Sequence, residues 1–219
     1  MIVSIHQPNY IPWIGFFNKI LSSDVYVVFD DIQFPRGKDY ANRNQIKTNN
    51  GKTWLTIPVI GKSDLKPWNQ IGINKNGWID KHLAIIESFY TKSPYFKEYY
   101  SEIKNIYLKD HNLLIDLTLD LIRHFIKIFD KETKIILSSD IKTDLKGMDK
   151  ILYILKYLQA TKYISGDGDG SKRYIDENLF KENNIELIWQ NYKHPTYNQQ
   201  FGEFIPYMSI LDLLFNEGP

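Results

Sequence analysis

Met1-Ile-Val-Ser-Ile-His6-Gln-Pro8-Asn-Tyr10-Ile-Pro12-Trp13 runs into Ile14-Gly-Phe16-Phe17-Asn-Lys19-Ile20-Leu21-Ser-Ser-Asp24, and then into Val25-Tyr-Val-Val-Phe29-Asp30-Asp31. Residues 2–5 read as a short strand, and Pro8 and Pro12 punctuate the turn that follows it. Trp13, Ile14, Phe16, Phe17, Ile20 and Leu21 then recur at helical spacing, so residues 12–21 predict a helix with one apolar side. Ser23-Asp24 ends it, and residues 25–29 form a continuous apolar run of the kind found in strands buried on both faces. Strand, helix, strand within about thirty residues is the βαβ pattern, which implies parallel pairing and a right-handed crossover. In such a sheet ligands bind at the carboxyl ends of the strands. His6 and Gln7 stand at the first of those ends, Asp30 and Asp31 at the second.

Working outward, residues 54–59 read as a strand after the turn Asn49-Asn50-Gly51, and residues 61–77 as a long loop. Three helices are expected at 79–90, 94–108 and 111–129, the last with Leu114, Leu117, Leu121, Ile122, Phe125 and Ile128 as its apolar stripe. Further strands are expected at 133–137, 163–164 and 185–189, and further helices at 149–159, 176–183 and 208–215. Strand–helix alternation at both ends with helices between predicts an α/β fold: a mainly parallel sheet, flanking helices and a helical insertion at 79–129 within a single domain of 1–219.

At 219 residues and 43% hydrophobic content the chain can bury a full core. A formal charge of +1 leaves no overall electrostatic footprint for nucleic acid, and none is expected as a partner. The absence of cysteine excludes disulfides, thiolate metal sites and a cysteine nucleophile. No secretory signal precedes the first strand, and the most apolar helical stretch, 113–128, is broken by Asp116, Asp120, Arg123, His124 and Lys127. A cytoplasmic protein without membrane insertion is the expectation.

The polar groups cluster at strand ends. An imidazole at His6 suits a general base, since it titrates near neutral pH, and the alternative is a histidine that ties down the Pro8 turn. Asp30 and Asp31 are candidates to hold an amine or orient His6; neighbours on an extended chain face opposite ways, so one rather than both is expected in the crevice, which disfavours a metal pair. Arg36, Asn42, Arg43, Asn44 and Lys47 crowd one segment with Tyr40, a density of forked donors suited to an anionic ligand such as a nucleotide or nucleotide-sugar. The run Ser165-Gly166-Asp-Gly-Asp-Gly170 fits a calcium loop poorly, with Lys172 at the apolar position and Asp176 in place of glutamate. With Lys172, Arg173 and Tyr174 it reads better as a glycine-rich cradle for a phosphate or acyl oxygen. No metal and no tightly bound cofactor are expected. His194 follows the last strand and is a second histidine candidate. His82 reads equally as a substrate contact or a helix-surface residue, and Trp68 and Trp78 as walls able to cover a sugar face.

His6-Gln-Pro-Asn-Tyr-Ile-Pro-Trp-Ile-Gly-Phe-Phe-Asn-Lys19, Phe29-Asp-Asp-Ile-Gln-Phe34, Asn42-Arg-Asn44, Trp54-Leu-Thr-Ile-Pro58, Tyr163-Ile-Ser-Gly166, Tyr174-Ile-Asp176, His194-Pro-Thr-Tyr197 and Ser209-Ile-Leu-Asp-Leu-Leu214 closely resemble the WbqC-like family. The resemblance spans essentially the whole chain. It implies an association with bacterial surface-polysaccharide synthesis, O-antigen included, and for some members the attachment of acyl or aminoacyl groups to amino sugars. It carries over His6, Gln7, Tyr10, Trp13, Asp30, Asp31, Arg43, Asn44, Ser165, Tyr174 and His194 as site candidates without assigned roles.

The reading that joins these observations is a transferase moving an acyl or aminoacyl group onto the amine of a nucleotide-linked amino sugar. His6 or His194 would serve as base and Asp30 or Asp31 as the amine's counter-ion. The Gln7 carboxamide or N–H groups near Gly166 would meet the oxyanion, and Arg36, Arg43 and Lys47 a phosphate. Without cysteine or a G-x-S-x-G elbow, direct attack is expected rather than a covalent intermediate. The acyl donor, free or on a carrier, is not identified by the sequence. A nucleotide-dependent ligase and a non-catalytic sugar-binding protein are the alternatives.

Overall fold

The computed structural model describes residues 1–37 and 39–219. In chain order its elements are β1 (Ile2–His6), α1 (Ile14–Leu21), β2 (Val25–Val28), β3 (Arg43–Thr48), β4 (Gly51–Thr56), β5 (Val59–Ile60), β6 (Gly72–Ile73), α2 (Trp78–Tyr90), α3 (Phe96–Tyr107), α4 (Leu114–Ile128), β7 (Lys134–Leu137), α5 (Gly147–Tyr157), β8 (Lys162–Ser165), α6 (Asp169–Tyr174), α7 (Glu177–Glu182), β9 (Glu186–Trp189) and α8 (Ile210–Glu217). No helix among the described residues is long and apolar enough to cross a membrane.

The chain divides into two compact units. The first comprises Met1–Gln7, Gly15–Asp31 and Lys131–Lys193; the second comprises Pro8–Ile14, Ile32–Asp130 and His194–Pro219. The helices expected at 79–129 lie in the second unit, together with the hairpins that precede them.

The first unit is an α/β sheet of five parallel strands in the order β7-β2-β1-β8-β9. Its register pairs Ser4 with Tyr26 on one side and with Ile164 on the other. Asp24 starts β2 by accepting from the Ile2 N–H at 2.7 Å and donating its own N–H to the Ile2 carbonyl. Because side chains alternate along a strand, Val3 and Ile5 face one side of β1 and Ser4 and His6 the other. The Val3 side carries the main core, where Val25, Val27 and Tyr163 meet Leu152, Ile154 and Leu155 of α5 and Phe180 of α7. On the Ser4 side lie Phe16 of α1 and Tyr26, whose rings meet edge to face at 5.8 Å. Connections leave β1 and β8 toward opposite faces, which makes the gap between their carboxyl ends the topological switch point of the sheet.

The second unit pairs β3 with β4 and β5 with β6, both antiparallel, beside α2, α3, α4 and α8. Three readings change here. Residues 43–48, read from the sequence as a cluster of ligand-facing donors, form a strand whose Asn44, Gln45, Ile46, Lys47 and Thr48 are buried, with Asn44 and Lys47 donating to backbone carbonyls. Residues 61–77 are not structureless: they hold two 3₁₀ turns, Lys62–Asp64 and Trp68–Gln70, and the strand β6. Trp68 and Trp78 do not line an open sugar face, being 0% and 6% exposed. Trp68 packs edge to face on Phe34 at 4.7 Å, so its area serves the core. In the first unit, the second half of the glycine–aspartate run is likewise helical, as α6, with the Ser171 and Lys172 N–H groups donating back to the Gly168 carbonyl.

Candidate functional site

The carboxyl end of β1 is the best-equipped place in the first unit. The β1–β2 ladder continues to His6↔Val28, whereas the β1–β8 ladder ends at Ser4↔Ile164. The strands therefore part on the β8 side two residues before β1 finishes, next to Ser165 and Gly166. His6 is half-buried there, its ring edge to face with Phe16 at 5.1 Å. Its Nδ1 lies 2.9 Å from the Gln7 carbonyl oxygen. A carbonyl only accepts, so the proton sits on Nδ1 and the Nε2 lone pair is left open. Burial, and then the Lys19 ammonium, lower the His6 pKa to about 3, the Gln7 hydrogen bond opposing them. The ring is neutral at physiological pH. Below it the buried Tyr26 hydroxyl donates toward the His6 and Gln7 carbonyls at 3.2 and 3.4 Å, fixing the backbone that aims the imidazole.

Lys19 is the residue that sequence reasoning missed. It is 4% exposed, and burial lowers its pKa to about 7. The signal was present: Phe16, Lys19 and Ile20 share one face of α1, so a lysine stands inside the apolar stripe. Ser4 is 0% exposed and its hydroxyl finds no partner among the described residues. Ser165 is 3% exposed, and its hydroxyl donates to the Gly166 carbonyl at 3.2 Å.

At the carboxyl ends of β2 and β7 the two aspartates are heavily engaged. Asp30 is 1% exposed and its carboxylate accepts from the Ser138 hydroxyl at 2.9 Å and from the Ser139 N–H and hydroxyl at 2.9 and 2.7 Å. Asp31 accepts from the Ser138 hydroxyl at 2.5 Å and pairs with the buried Lys150 ammonium. These carboxylates tie two strand ends and α5 together, which leaves them poorly placed to receive an amine.

The remaining candidates belong to the second unit. Tyr10 is fully buried, and its hydroxyl meets Nδ1 of His82 at 3.0 Å and the Tyr107 hydroxyl. Asn44 donates to the Ile11 and Tyr10 carbonyls at 2.8 and 3.3 Å, clamping a turn in which Ile11 adopts a φ of 35°. A β-branched residue in that region is strained, so the carboxamide acts as a brace. Asn42 donates to the Ile57 carbonyl at 2.7 Å. The Lys47 ammonium donates to the Glu203 carbonyl at 2.5 Å. The guanidinium of Arg43 lies 3.9 Å from the centre of the Trp54 ring, and its Nε donates to the Asp39 carbonyl. Arg36 is exposed, and Tyr174, back in the first unit, is 77% exposed. Trp13 stacks on His194 at 6.0 Å with the planes 6° apart. The His194 Nδ1 donates to the Pro195 carbonyl at 2.7 Å and its Nε2 accepts from the Tyr207 N–H at 3.1 Å. Both nitrogens are used by backbone, so this ring has no lone pair to offer as a base in this conformation. Of the two histidine candidates, His6 is the one whose second ring nitrogen meets no hydrogen-bond partner among the described residues.

No solved structure matches the chain. A protein of Mycobacterium tuberculosis (strain ATCC 25618 / H37Rv), named Uncharacterized protein Rv1507c, is 33% identical over 219 residues, covering 99% of this chain and 94% of its own. The family model described as the WbqC-like protein family matches residues 7–219. That span takes in Gln7, β8 and all of the second unit's candidates, and the chain accordingly belongs to the WbqC-like protein family.

Proposed function

We propose that the chain is a cytoplasmic transferase that attaches a small acyl or aminoacyl group to the amine of a nucleotide-linked amino sugar in bacterial surface-polysaccharide synthesis. The observation that carries this reading is His6: a neutral imidazole with Nε2 open, standing where the β1–β8 ladder parts at the switch point. In the reaction the amine nitrogen attacks the acyl carbonyl carbon, the bond to the donor's leaving group breaks, and the proton lost by nitrogen passes to Nε2 of His6. The low proton affinity of the free ring rises when an anionic ligand settles beside it, because added negative charge favours imidazolium. The Gln7 carboxamide, or the Gly166 N–H, would donate to the oxyanion of the tetrahedral intermediate.

Mass spectrometry of nucleotide-linked amino sugars incubated with the protein and a panel of acyl donors tests the reading. A mass gain equal to the acyl group is expected, and His6→Ala should abolish it with a modest loss of sugar binding. Full turnover in His6→Ala would remove this histidine from the mechanism, and saturable sugar binding without product across the panel would favour a binding protein. The parallel order β7-β2-β1-β8-β9 also suits a nucleotide, by fold-level analogy, which keeps a nucleotide-dependent ligase as the second reading. Pyrophosphate release from ATP in the presence of a candidate acid would select it.

A further inference from the structure

Lys19 has no role in the packing that explains its burial. The residue is 4% exposed, and among the described residues its ammonium makes no ion pair; unlike the Ser4 hydroxyl, the ammonium is not sealed from solvent. The other strongly buried lysines are satisfied: Lys47 donates to the Glu203 carbonyl and Lys150 pairs with Asp31. A lysine whose stem is buried and whose ammonium has no counter-charge is costly to keep charged, and burial accordingly lowers its pKa to about 7, whereas an anion beside it would favour the ammonium.

Its placement points to what would supply the counter-charge. Lys19 lies one turn beyond Phe16, which packs on the His6 and Tyr26 rings. Helical side chains lean toward the helix N-terminus, so the lysine stem runs back over that turn toward the carboxyl end of β1. Its charge is felt at His6. On the same side of β1 the Ser4 hydroxyl is buried without a partner and Nε2 of His6 is open. A cation, a hydroxyl and a ring nitrogen with unmet bonding capacity thus share one side of the strand at the switch point.

We propose that Lys19 is the receptor for an anionic oxygen group of the ligand, a phosphate or a carboxylate, that enters at the carboxyl end of β1 beside His6. The proposal deepens the reading above, resting on its placement of the ligand at His6 but not on the transfer reaction. It also reassigns the anion contact expected of Arg36, Arg43 and Lys47, two of which are already engaged, by Trp54 and by the Glu203 carbonyl.

The test compares the wild-type protein with Lys19→Met, which keeps the length of the stem and removes the charge. Thermal melting and titration calorimetry are run with pyrophosphate and UDP in one arm and with acetate and glycine in the other. Without additive, Lys19→Met is expected to melt at a higher temperature than the wild type. One arm is expected to raise the wild-type melting temperature, and the variant should bind that anion at least about tenfold more weakly. A response to pyrophosphate and UDP alone identifies a phosphate, and a response to acetate or glycine alone a carboxylate. No response of the wild type in either arm, or equal responses of wild type and variant, would overturn the proposal. Should Lys19→Met fail to fold, Lys19→Gln, with a neutral polar tip, takes its place in the same comparison. Anion binding at Lys19 without product in the transfer assay leaves this inference standing and removes only the reaction; unchanged product formation in Lys19→Met does the reverse.

Discussion

His82 allows a pH prediction whose sign and size both follow from its surroundings. The residue is 3% exposed in the second unit, with Nδ1 against the Tyr10 hydroxyl at 3.0 Å. Burial lowers its pKa from 6.5 to about 4, the Thr56 backbone hydrogen bond raising it and Lys81 lowering it further. The folded state therefore binds this proton less readily than the unfolded chain does. Its contribution to stability is complete above the unfolded pKa of 6.5 and is lost as pH falls toward the folded value of about 4. At about pH 4.5 the unfolded histidine is almost fully protonated and the folded one is mostly neutral, so stability has dropped by about 2.5 kcal/mol relative to neutral pH. The perturbation is His82→Gln, which keeps a hydrogen-bonding tip and removes the titration. Urea unfolding followed by tryptophan fluorescence, at neutral pH and at about pH 4.5, gives the acid-induced loss for each protein. The wild type should lose about 2.5 kcal/mol more than the variant. His6 also resists protonation, but it titrates in both proteins and cancels in the difference. Equal losses would show that His82 ionises freely in the folded protein and would refute the argument.

Three further outcomes follow from groups with defined partners. Asn44→Ala leaves the Ile11 and Tyr10 carbonyls and the Gln45 N–H without their buried partner, and urea unfolding should show a loss of about 2–4 kcal/mol. Asp31→Ala strands the buried Lys150 ammonium and should cost about 3 kcal/mol, while the double variant with Lys150→Met recovers much of that; a cycle with additive costs would deny the coupling. Ser4→Ala removes a fully buried hydroxyl without a partner and should leave the melting temperature unchanged or raise it, by up to about 1 kcal/mol of stability. A clear fall would mean that this hydroxyl is satisfied in solution.

The βαβ opening was readable because its signals are local. The alternation and apolar runs of residues 2–6 and 25–28 and the helical spacing from Ile14 to Leu21 report on neighbours a few residues away. β3 was missed for the opposite reason. Asn44 and Lys47 read as donors for an anionic ligand, and what makes them buried strand residues is the distant set of acceptors at Tyr10, Ile11 and Glu203. Burying a polar side chain is tolerable only when such partners arrive, and one-dimensional spacing does not reveal whether they will.

The same division runs through the site. Residue order and periodicity alone determined the parallel α/β class, the placement of His6 at a strand end, and the motifs that mark the WbqC-like family. Only tertiary structure decided which polar groups remain available: Asp30 is claimed by Ser138 and Ser139 and both nitrogens of His194 by backbone, while among the described residues Nε2 of His6 stays open and the mostly buried Lys19 makes no ion pair. The physical reason is that chemical type is a property of a residue, whereas desolvation and hydrogen-bond saturation are properties of the space that distant segments enclose around it.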